Sequence, residues 1–168
     1  MADFIGNRYL KKKSNIPENA FVIFDSGKFY NGCSLAAESG THQQCIIENG
    51  ILKIKALEVK TPEGYPYRLY GLTVNQSPES GTGKTPNNFG VDIAIPAPNI
   101  IDSVELTFYG ANKEYSIPKP WNEKKVYRYN IKECAETSFK VIISVHTAEK
   151  QSATVGQTLL GIRSIWYE

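Results

Sequence analysis

Residues 75–90 hold the chain's most reactive-looking run: a polar stretch between two segments of strand periodicity that contains Gly83-Lys84-Thr85. A phosphate-binding loop uses glycines to bring backbone N–H groups to an anion, while its Lys and Thr reach the phosphates and Mg²⁺. In this chain the first glycine of that pattern falls on Pro78, and Pro86 follows where the motif must enter a helix. An interior proline removes a helical hydrogen bond, and residues 75–80 are turn-forming rather than an apolar strand. The stretch therefore reads as a long inter-strand loop, a length at which loops are often functional.

Acid–base and metal chemistry have few candidates. His42 and His146 are the two histidines, and neither has a partner at metal-ligand spacing. Asp92, Glu105 and Glu58 could supply the carboxylate pair of a polysaccharide-active enzyme. Alternation sets each of them opposite apolar neighbours, which is the pattern of solvated surface acids. Asp25 and Glu168 could help hold a structural Ca²⁺, but no dedicated calcium loop surrounds them. Cys33, Cys45 and Cys134 form no C-x-x-C pair and read as reduced, mostly buried thiols. Neither a catalytic residue nor a cofactor is expected.

Aromatic residues say more. Ten Tyr and two Trp are more than packing alone requires, and several fall in loops or at strand ends. Aromatic faces stack on the C–H surfaces of sugar rings, while phenol and indole hydrogens meet hydroxyls. Trp121, Tyr65, Tyr67 and Tyr127 are the expected ligand-binding residues. Trp121 follows Pro118-Lys119-Pro120, a restrained backbone that lowers the entropy lost on binding. The alternative for Trp121 is to cap one end of the core, and for Trp166 core packing is favoured. Tyr30 lies beside the turn Asn31-Gly32.

These groups have to be positioned by strands. Residues 20–25, 44–48, 51–60, 67–74, 89–95, 103–109, 114–117, 125–131, 139–146 and 159–167 are β-branched or aromatic runs bounded by turn residues. Asn49-Gly50 between two apolar runs predicts a type I′ hairpin. In residues 125–131 the core face is ambiguous, because Tyr127, Tyr129 and Ile131 are as apolar as Val126. Residues 33–42 read as a loop or one helical turn. Short strands without a long helix make an all-β, antiparallel β-sandwich the expected architecture. Residues 1–19 lack alternation and form an irregular N-terminal arm, and residues 20–168 form a single domain.

With 168 residues, 41% hydrophobic, 21% charged and a formal charge of +2, the chain has the make-up of an ordinary globule with no expected nucleic-acid partner. Lys11-Lys12-Lys13 beside Arg8 is a solvated basic cluster on the arm, which could also dock on an assembly partner. Residues 1–10 carry an acid and polar groups where a secretory signal needs an apolar run, and no stretch has the length of a membrane span. Synthesis without a signal peptide is the expectation.

Three segments carry a resemblance. Phe21-Val-Ile-Phe-Asp-Ser-Gly27, Trp121-Asn-Glu-Lys-Lys-Val-Tyr-Arg-Tyr-Asn-Ile131 and Leu160-Gly-Ile-Arg-Ser-Ile-Trp-Tyr167, with the element order between them, resemble the galactose-binding-like jelly-roll of carbohydrate-binding modules. Arg163 and Ser164 stand where that family usually carries acids. The resemblance implies a non-catalytic fold with its ligand at the loop rim or on the concave sheet. The functional expectation is a glycan- or surface-binding display module, such as a phage head-decoration or tail-fibre component of a virion. The alternatives are a purely structural assembly protein, able to form oligomers, and a polysaccharide-active enzyme.

Overall fold

The structure is a computed structural model that describes residues 15–35, 43–57, 67–73, 88–109, 113–121, 125–130, 140–148 and 153–168. In chain order its strands are β1 (Phe21–Asp25), β2 (Lys28–Phe29), β3 (Ser34–Leu35), β4 (Gln43–Glu48), β5 (Ile51–Ala56), β6 (Tyr67–Thr73), β7 (Asn88–Ala94), β8 (Ile101–Tyr109), β9 (Lys113–Ser116), β10 (Lys125–Asn130), β11 (Lys140–Thr147) and β12 (Thr158–Tyr167). A 3₁₀ turn, Pro98–Ile100, leads into β8. The first sheet runs β10-β7-β12-β1-β2, with β5 also paired to β12 and β4 to β5. The second runs β3-β6-β11-β8-β9. Every ladder is antiparallel.

Strand β12 organises the first sheet. One edge pairs with β7 over residues 161–167, and the other pairs with β5 over 158–162 and then with β1 over 164–167. Local turn chemistry supplies the hairpins. Asn49 and Gly50 have φ of 51° and 77°, the two positive angles of a type I′ turn. Ser26 and Gly27, at 49° and 91°, turn β1 into β2 in the same way. These two turns pack against each other so closely that a Cβ on Gly27 would lie 3.0 Å from Gly50 Cα. On the outer side of β4–β5, Glu48 bridges Lys53 at 2.9 Å and Lys55 at 2.8 Å.

Period-two alternation fills the space between the sheets. Leu52, Ile54, Phe89, Val91, Ile162 and Ile165 from the first sheet meet Val104, Leu106, Phe108, Val141, Ile143 and Val145 from the second, all buried. A chain of rings crosses this core. Phe21 contacts Tyr167, which meets Phe89 at 5.5 Å, and Phe89 meets Phe108 edge-on at 5.2 Å. Phe108 meets Tyr115 at 5.7 Å, and Tyr115 meets Tyr129 at 5.2 Å. Of the tyrosines in this chain of rings, Tyr115 and Tyr129 join the two sheets.

Several expectations are corrected. Asn88, placed only in the long loop, begins β7, and Ser34–Leu35, assigned to a loop or helical turn, form a strand on β6. The ambiguous face of β10 is settled by register. Val126 stands opposite Asp92 on the outer face, whereas Tyr127 and Tyr129 stand opposite Val91 and Phe89 and pack on the core. Residues 74–87, with the Gly-Lys-Thr run, lie outside the described residues.

Trp166 is fully buried yet belongs to the outer face of the first sheet. Its neighbours Ile165 and Tyr167 point into the core, so alternation sends the indole the other way. It lies across Gly90 of β7: a Cβ there would sit 2.1 Å from Trp166 Cε2. Its Nε1 donates to Glu168 Oε1 at 3.2 Å, and Arg128 also binds that carboxylate. On the same face, Asn15 Nδ2 donates to the buried Asp92 Oδ2 at 2.9 Å, so the end of the N-terminal segment is tied across the sheet.

Candidate functional site

Three of the four expected ligand-binding residues, Trp121, Tyr127 and Tyr67, lie on separate elements of the fold. Trp121 ends the segment that leaves β9 and is only 6% exposed. Its Nε1 donates to Ile117 O at 3.0 Å, and Lys119 Nζ sits 5.0 Å from its ring while reaching Asp102 at 3.7 Å. The indole thus caps the core with its polar hydrogen satisfied four residues back, the second of the two readings made for it. Tyr127 is partly buried on β10, and burial raises its phenol pKa. Tyr67 lies on β6, opposite Val145, in a row that continues through Val104 to the Ile117 N–H. Three strand spacings, about 14 Å, separate the two ends of that row. Tyr65 lies outside the described residues.

The structure brings together polar groups on the outer face of the second sheet. Glu105 lies between buried Val104 and Leu106, so its carboxylate points away from the core. The β8–β11 register sets Ser144 opposite Glu105, His146 opposite Ser103 and Ile142 opposite Thr107. The β8–β9 register adds Ser116 opposite Glu105 and Glu114 opposite Thr107. Ser103 Oγ donates to Glu105 Oε1 at 3.2 Å, and His146 Nε2 stands 3.4 Å from Glu105 Oε2. The carboxylate and imidazole are about one-third exposed, at 34% and 35%. This gives a face of hydroxyls around the Glu105 carboxylate, with Glu114 also on that face, suited to hydrogen-bonding a hydroxyl-rich ligand.

No sequence pattern marked this cluster, because Glu105 and His146 are distant along the chain and only strand register makes them neighbours. Two of the carboxylates considered for catalysis, Asp92 and Glu105, do not converge. Asp92 points outward from the first sheet and Glu105 outward from the second, so the sandwich core lies between them. A glycosidic pair needs its two carboxyls within about 10 Å, flanking one bond. Glu58 and His42 lie outside the described residues. Asp25 and Glu168, considered for Ca²⁺, are also apart. Asp25 stands opposite Ser164, four positions or about 13 Å along β12 from Glu168, whose carboxylate serves Arg128 and Trp166.

Among the described residues no group of three or more His, Cys, Asp or Glu side chains is placed to hold a metal ion. Burial pushes the thiols of Cys33 and Cys45 up to about 11, which keeps them protonated and poorly nucleophilic near neutrality. Cys134 lies outside the described residues. No helix among the described residues is long and apolar enough to cross a membrane.

No protein-family model and no curated protein matches the chain. Among solved structures, a variant of a carbohydrate binding module of family 29 aligns over 88% of this chain and 89% of its own, with a TM-score of 0.52 and 15% sequence identity. The likeness shows a shared jelly-roll-like β-sandwich fold.

Proposed function

We propose that this protein is a carbohydrate-binding β-sandwich that holds a glycan by hydrogen bonds on the outer face of its second sheet and performs no chemistry on it. The observation that carries this reading is the grouping of Ser103, Glu105, Thr107, Ser116 and His146 on one sheet face, with Glu105 as a half-satisfied acceptor. A sugar presents adjacent hydroxyls, and an ionised carboxylate accepts them in charge-assisted hydrogen bonds. The fold shared with a carbohydrate binding module supports the same reading. The separation of Asp92 from Glu105 favours binding over glycosidic cleavage.

A glycan array with wild type, Glu105→Ala and Trp121→Ala tests it. Wild type is expected to retain neutral polysaccharides, with Glu105→Ala weaker by about 10- to 100-fold, the worth of a hydrogen bond to a charged group. Trp121→Ala is expected to lower thermal stability first, because its ring is packed. If Trp121→Ala abolishes binding while the fold is intact and Glu105→Ala binds normally, the site is instead an aromatic rim of Trp121, Tyr127, Tyr67 and Tyr65. No retention of any glycan by wild type overturns the proposal.

A further inference from the structure

We infer that His146 controls how available Glu105 is to a ligand, so that binding on this face weakens as the pH falls; the inference rests on the carbohydrate-binding reading above. Ser103 already occupies Glu105 Oε1, so Oε2 is the oxygen left for a ligand hydroxyl. His146 Nε2 faces that same oxygen at 3.4 Å, beyond a normal hydrogen bond but within ion-pair range. A neutral imidazole at this distance leaves room for a hydroxyl to bind Oε2. An imidazolium is drawn to the carboxylate and competes with the hydroxyl for the same lone pairs.

The sheet leaves the pair in place for such a competition. Ser144 and His146 project from β11 on the same side as Ser103 and Glu105 from β8, and Val145 and Val104 lock the strands together beneath them. The other charged groups near the pair are few. From β9, Glu114 stands opposite Thr107 on the same face, and Lys113 stands opposite Phe108. From β6, Arg68 is opposite Ser144, and Lys140 on β11 is opposite Tyr109 and Thr73. Asp102 on β8 is bridged to Lys119. Imidazole is the side chain that ordinarily changes charge between about pH 5 and 8, so an acid-weakened profile there that is lost in His146→Gln reports the imidazole. His146 is a positioning residue in this scheme, acting through Glu105.

The test is glycan affinity of the full chain at pH 5.5 and 7.5 for wild type, His146→Gln and His42→Gln. Wild type and His42→Gln are expected to bind about two- to fivefold more weakly at pH 5.5, in keeping with a partly exposed ion pair. His146→Gln is expected to bind equally at both pH values. Equal acid weakening in His146→Gln, or stronger binding of wild type in acid, overturns the inference and leaves glycan binding standing. Absence of glycan binding by wild type at both pH values overturns both.

Discussion

Tyr115 and Tyr129 lock the edge of one sheet to the edge of the other. Their rings meet at 5.2 Å, Tyr115 Oη donates to Asn130 O at 2.8 Å, and Tyr129 Oη donates to Ser116 O at 3.3 Å. Each phenol thus caps a backbone carbonyl of the strand that carries, or adjoins, its partner. The two sheets are joined by hydrogen bonds here.

Tyr129→Phe removes one of these bonds and is expected to cost about 1 kcal/mol, read from chemical denaturation. The same bond predicts an alkaline limit. The Tyr129 phenol is pushed up to about 12, first by burial and then by the charge of Tyr127, from an ordinary value of 10.0. Its folded-state pKa is raised, so its contribution is complete below about pH 10 and is lost as pH climbs through about 12. Denaturation midpoints measured from pH 9 to 11.5 should fall more steeply in wild type than in Tyr129→Phe.

Gly90→Ala should damage the outer face of the first sheet. The added Cβ would lie 2.1 Å from the Trp166 ring, which is rigid, fully buried and hydrogen-bonded to Glu168. Overpacking of this kind costs about 1–3 kcal/mol, and a rigid neighbour places this site toward the upper figure. Tryptophan fluorescence and thermal unfolding check it; an unchanged emission maximum and Tm would show that Trp166 does not lie on Gly90.

Asn15→Ala withdraws one donor from the buried Asp92 carboxylate and is expected to cost about 1–3 kcal/mol. A shortened chain beginning at Ala20 should lose a similar amount. Equal stability of both with wild type, measured by urea denaturation, would mean that the strap across the sheet contributes nothing.

What the chain reveals of itself follows from the range of the interactions. Asn49-Gly50 announces its hairpin because a type I′ turn is decided by two residues. The strand runs are legible for the same local reason. The partners of β12 are not, since pairing with β7, β5 and β1 joins segments far apart in sequence and leaves no local trace. Trp166 shows the limit of alternation: its place opposite Ile165 and Tyr167 is readable, but not that the outer face would be covered. Trp121 left a ligand-facing and a core-capping reading open, and the Ile117 carbonyl draws its indole inward. Glu105 and His146 each looked like surface polar residues, and the β8–β11 register is what makes them a pair.

The position of β12 has a consequence in time. The second sheet has all five of its strands once Thr147 has been made, whereas β1, β5 and β7 wait for residues 158–167 to bridge them. Until then a growing chain carries a half-built molecule with three unpaired strand borders beside a layer that already has all its strands. Assembly of the first sheet is therefore a single late insertion, and the interval before it is when the protein is most exposed to pairing with the wrong chain.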